Sequence, residues 1–93
     1  MRTPEIKKFI LEHSNLFWYI PQEKKVDVSD EVLVETILNY GDKIDFIELV
    51  NLMGMNNAAN SFFNSINTSE RRRGNYSELT INYFTHVFNK YAH

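Results

Sequence analysis

The 93-residue chain has no cysteine, only three glycines and two prolines, and no long apolar run. Without cysteine there is no disulfide, no thiolate nucleophile and no cysteine-bound zinc. Gly41, Gly54 and Gly74 stand too far apart to form a phosphate-cradling loop. The longest apolar run, residues 16–20, falls far short of the roughly 20 residues that cross a bilayer. The first residues, MRTPEIKKF, lack the apolar core and small-residue cleavage site of a secretory signal. A cytoplasmic protein with no membrane partner is expected. An excess of positive charge is missing too. Ten basic and twelve acidic side chains leave a net charge of −2, which excludes a generally basic nucleic-acid binder.

Aromatic mass is plentiful: seven Phe, five Tyr and one Trp. A hydrophobic share of 43% against 24% charged is the balance of a folded domain and not of a disordered tail. The length suits a single domain spanning 1–93, since domains usually run from about 50 to 250 residues. A chain this short is only marginally stable alone, and homodimerisation is one way to bury more surface. Charge divides unevenly along the chain. Residues 1–50 carry six basic and ten acidic side chains, a net −4, while residues 51–93 carry four basic and two acidic, a net +2. Between Glu48 and Glu70 there is no charged residue.

Capping residues and apolar spacing predict five helices, an all-α bundle. Thr3-Pro4-Glu5 is a helix start, with a capping hydroxyl, a preset first position and an acid at the positive end. Ile6, Phe9 and Ile10 then share a face through about His13. Residues 16–21 read as an irregular segment laid across the core, with Phe17 and Trp18 buried and Tyr19 partly exposed. Residues 22–27 read as the most exposed linker. Ser29-Asp30-Glu31 starts a second helix with Leu33, Val34, Ile37 and Leu38 inward, and Gly41 stands where a left-handed residue would end it. The third helix, residues 43–53, is apolar round more than half its surface and is expected to be the central, most buried one. Gly54 closes it, and Asn56 can cap a fourth helix that buries Ala59, Phe62, Phe63 and Ile66. Residues 67–75 read as a surface loop. The last helix begins near Ser77 or Thr80 and carries Ile81, Phe84, Val87, Phe88 and Tyr91 as a stripe.

No arrangement of residues carries an enzyme signature, and neither a cofactor nor a metal is expected. His13, His86 and His93 lie far apart in sequence; only a packing of the first helix against the last would bring His13 to His86. Asp30, Glu31, Asp42 and Asp45 sit at helix starts, where the helix dipole accounts for them. Residues 46–66 have the spacing of a helix-turn-helix, with Asn56, Asn57, Asn60 and Ser61 where base-reading side chains would stand. Asn60, however, occupies a place that motif gives to an apolar residue, and the helix has no Lys or Arg for phosphate. A plain two-helix corner explains the same spacing. Arg71-Arg72-Arg73 before Gly74 is either a solvated turn or a patch for an acidic partner or nucleic acid.

Leu16-Phe17-Trp18, then Val34-x-x-Ile37-Leu38-x-Tyr40-Gly41-Asp42, a helix ending at Gly54, and Leu79-Thr80 before Phe84 together resemble a group of small bacterial helical domains of unassigned function. Members show Leu-Phe-Trp-Asp near the start and Tyr-Gly-Asp after the next helix, and some are encoded beside nucleotidyltransferase-type abortive-infection toxins. The resemblance implies an antitoxin-like or accessory role and supplies no catalytic residues. Tyr19 replaces the group's Asp, which removes a charged contact. The expected function is a non-enzymatic protein-interaction module that meets a protein partner through Arg71, Arg72, Arg73, Tyr76 and Tyr19. The alternative is a DNA-binding protein using Asn56, Asn57, Asn60 and Ser61.

Overall fold

A computed structural model describes residues 3–68 and 70–92, together with the backbone but not the side chain of Arg72. Among the described residues six helices follow one another: α1 (Pro4–Glu12), α2 (Asp30–Tyr40), α3 (Lys43–Met53), α4 (Met55–Thr68), α5 (Glu70–Arg73) and α6 (Glu78–Tyr91). Two 3-10 turns, Ser14–Phe17 and Gln22–Asp27, fill the gap between α1 and α2. No strand occurs among the described residues. The radius of gyration is 12.4 Å, close to the ~12 Å of a compact chain of this length.

The starts of four helices are built as their sequences require. The hydroxyls of Thr3, Ser29 and Ser77 accept from the backbone N–H of Ile6, Val32 and Thr80. Asp42 and Asp45 form a reciprocal capping box at the start of α3. The two glycine boundaries differ. Gly54, at φ 90 and ψ 143, is the single residue between α3 and α4, a conformation open essentially to glycine alone. Gly41 is not left-handed but extended, with φ −82 and ψ 168. Close approach explains it: a Cβ there would lie 2.8 Å from the Ile37 carbonyl oxygen and 3.1 Å from Asp45 Cβ.

The third helix is not the most buried one; α2 is more buried than α3. Leu33, Val34, Glu35, Thr36, Ile37 and Leu38 are all buried in succession, where α2 packs against α3, α4 and the first 3-10 turn. The high apolarity of α3 has another outcome. Leu49 and Met53 enter the core, while Ile44, 65% exposed, and Ile47 face outward. The segment bearing Phe17 accordingly packs on α2 rather than on α3. Phe46 reaches the rings of Phe84 and Phe88 on α6, at centroid distances of 5.1 and 5.9 Å. On α6, Ile81 and Phe88 are buried and Tyr91 lies outside.

Two stretches expected to be polar surface are ordered instead. Residues 22–27 form a 3-10 turn whose Lys25 is buried, its ammonium donating to the Ser14 carbonyl at 2.9 Å. That bond satisfies the charge where its alkyl stem is covered. In the region expected as one loop, α4 continues to Thr68 and α5 carries the arginines. Every helix is too short or too polar to cross a membrane among the described residues.

Candidate functional site

The first 3-10 turn splits two adjacent aromatics. Phe17 is fully buried, whereas Trp18, the next residue, is 70% exposed. Burying both would require the backbone to present consecutive side chains to the same side, and the tight αR turn at Trp18, φ −57 and ψ −27, does not do so. The expected core position of Trp18 is therefore corrected to the surface. Its ring meets Tyr19 edge to face at 5.5 Å. Tyr19 is also partly exposed, as expected, and its hydroxyl is hydrogen-bonded to the buried Thr36 hydroxyl of α2. That bond pins the ring against α2.

On α2, Glu35, Thr36, Asn39 and Tyr40 share one face, since residues three and four apart return to the same side of a helix. Tyr40, at the last turn, is 54% exposed, and Glu35 is only 8% exposed. Trp18, Tyr19, Glu35, Asn39, Tyr40 and Asn75 enclose a cleft of about 290 Å³. Asn75 closes its far side. Its side-chain amide donates to Glu35 Oε1 at 3.1 Å, and its backbone carbonyl accepts from the Asn39 side-chain amide at 3.0 Å. Burial, aided by the charge of Glu35 and the neighbouring Tyr40, pushes the Tyr19 hydroxyl above its usual range despite the opposing bond with Thr36. Tyr19 is thus a neutral phenol at physiological pH.

Neither Arg71 nor Arg73 lines this cleft. Arg71 is exposed on α5, and Arg73 approaches Glu78 at 3.8 Å; the Arg72 side chain lies outside the described residues. Tyr76 departs from its expected place on the partner surface. It is buried, with its ring edge-on to Phe62 at 5.4 Å, because the turn at Gly74 folds residue 76 back under α4. Tyr76 is a core residue.

The DNA-reading alternative is likewise redistributed. Ser61 is buried, so it cannot meet a base edge. Asn57 spends its amide on the Met53 carbonyl, at 2.7 Å, at the end of α3. Asn56 and Asn60 are exposed.

His13 does not meet His86. It joins α1 to α3: Nε2 lies 2.9 Å from Asp45 Oδ1 and Nδ1 lies 2.8 Å from the Phe9 carbonyl oxygen. Burial disfavours its charged form, but the Phe9 and Asp45 bonds, with the charges of Asp45 and Glu48, outweigh burial and raise its pKa above the ordinary value. Among the described residues no three His, Asp or Glu side chains gather in a way that could hold a metal.

Glu35, Asn39, Tyr40 and Asn75 escaped the reading of the sequence as site residues. One signal was present: Glu35 is an acid inside the apolar run Leu33-Val34-Glu35-Thr36-Ile37-Leu38, and such a buried charge needs a reason. In comparisons with family models, with curated proteins and with solved structures, no match to this chain was found.

Proposed function

We propose that this chain is a non-enzymatic protein-interaction module whose contact surface is the aromatic face of Trp18, Tyr19 and Tyr40, together with Arg71 and Arg73. The supporting observation is the exposure of Trp18. A small domain with one tryptophan gains most by burying it, yet this ring is 70% exposed beside a fully buried Phe17. Trp, Tyr and Arg are the side chains enriched at interface hot spots. Tyr19 and Glu35 are held in place by their bonds to Thr36 and Asn75, so the surface is partly organised before a partner arrives, which lowers the ordering cost of binding. An antitoxin-like or accessory role is the setting that the resemblance implies, with the partner encoded by an adjacent gene.

The test is co-expression with the adjacent gene products, followed by co-purification. Trp18→Ala combined with Arg71→Glu and Arg73→Glu should abolish a complex that the native chain forms, with helicity by circular dichroism unchanged. A complex that survives all three changes refutes the assignment of this surface. The alternative, duplex recognition by the start of α4, rests on the exposure of Asn56 and Asn60. Salt-dependent binding of mixed duplexes by fluorescence anisotropy, lost in Asn60→Ala, would replace the partner reading.

A further inference from the structure

The cleft beneath the aromatic face has a chemistry of its own. Three aromatic rings, those of Trp18, Tyr19 and Tyr40, stand around it, and the carboxylate of Glu35 lies in its wall. Rings present their negative faces and edges of opposite polarity, and a cation over a face is attracted electrostatically. Glu35 is more than nine-tenths buried, where a charge interacts more strongly than in water. No Lys or Arg among the described residues forms an ion pair with it, and no Lys or Arg lines the cleft. An anionic or phosphorylated ligand would therefore meet a buried negative charge with no Lys or Arg in the cleft wall among the described residues. A cation meets rings and carboxylate together.

We propose that the cleft formed by Trp18, Tyr19, Tyr40 and Glu35 binds an alkylammonium group, presented as the lysine side chain of the protein partner. This rests on the interaction reading for the source of the ammonium. Size sets the first limit. Ligand pockets for drug-sized molecules run from about 300 to 1,000 Å³, and this one, at about 290 Å³, lies at the lower end of that range and has room for one side chain. The hydrogen bonding of Glu35 sets the second. Asn75 already occupies Oε1, which works against the two-pronged clasp that a guanidinium makes on a carboxylate and leaves a single-point contact. An ammonium is a point charge with a slender apolar stem, and the stem can lie along the Trp18 and Tyr40 rings.

Trp18 is the one tryptophan of the chain, so its fluorescence reports on this cleft alone. The intact protein is titrated, at constant ionic strength, with acetyl-Gly-Lys-Gly-amide, its norleucine and arginine analogues, tetramethylammonium chloride and guanosine monophosphate. A saturable change is expected with the lysine peptide and none with the norleucine peptide. Glu35→Gln should weaken that response about tenfold, as expected for loss of a charged hydrogen-bond partner. Tyr40→Ala, at an exposed position, should weaken it as well without disturbing helicity, and it keeps the test valid if Glu35→Gln fails to fold. An equal response to norleucine, tighter binding of the arginine peptide or of the nucleotide, or no saturation with any cation overturns the assignment. A response confined to tetramethylammonium overturns the side-chain source. Because the titration needs no natural partner, a cleft that binds lysine while the co-purification is insensitive to Trp18→Ala separates failure of the interaction reading from failure of the site.

Discussion

Phe17 and Trp18 offer a sharp test of the fold, since they are neighbours in sequence with opposite fates. Phe17→Ala empties a site with no solvent exposure on α2, and truncating a buried Phe costs about 3–5 kcal/mol through lost transfer energy and the cavity left behind. Trp18 is 70% exposed. Of the roughly 150–250 Å² that a buried aromatic removes from water, it hides about a third, or about 50–80 Å². At ~25 cal/mol/Å² that is an upper bound of about 1–2 kcal/mol, and the retained Cβ lowers it to about 1 kcal/mol for Trp18→Ala. A domain of this length has a total stability of about 5–14 kcal/mol, so the first change removes a large part and the second a small one. Urea denaturation followed by circular dichroism at 222 nm, a standard helix wavelength, measures both. Equal losses, or a greater loss for Trp18→Ala, would refute the outward placement of Trp18 and with it the aromatic face.

Other consequences follow from single contacts. A neutral imidazole has one N–H, so His13 can donate to both Phe9 and Asp45 only when protonated. Its raised pKa means that the added stability is fully present below the ordinary histidine value and is lost as pH rises through the folded-state value. The destabilisation by His13→Gln should therefore be larger at about pH 5.5 than at about pH 8.5 in parallel urea titrations; a difference of the opposite sign refutes the two-donor arrangement. Gly54→Ala forces a side chain into a glycine-only conformation, and its expected cost of about 1–3 kcal/mol is read as a lowered urea midpoint. An unchanged midpoint would refute a glycine-only conformation at the α3–α4 corner.

What the sequence discloses here is local. Thr3, Ser29, Asp42 and Ser77 announce their helices because a cap depends on three or four residues in a row. Glu70 to Arg73 escaped notice as a helix because one turn of charged residues has no apolar period to betray it. Burial is harder to read, since it depends on which elements end up on either side. The run Leu33 to Leu38 contains Glu35 and Thr36 and so looks less apolar than α3, yet all six of its residues are buried, against Leu49 and Met53 alone on α3. Trp18 and Tyr76 changed places for the same reason: one lies on a turn that points out, the other after a glycine that turns in. The cleft draws Trp18 and Tyr19, Glu35 to Tyr40, and Asn75 from three separate parts of the chain. Pairings across such distances leave no periodic trace.

The position of α2 bears on how the molecule comes apart. Its neighbours lie on both sides of it in sequence: the turn Ser14–Phe17 before it, and α3 and α4 after it. Neither half of the chain contains a closed core, because a fragment cut on either side of α2 would expose the faces that Phe17 or Phe62 and its neighbours now cover. Proteolytic fragments should therefore be unfolded rather than partly native, and amide hydrogens along Leu33 to Leu38 should exchange only through global unfolding. For a protein in a cell this makes abundance an all-or-none property. A single cleavage between α1 and α4 would commit the whole domain to degradation, leaving no folded stump.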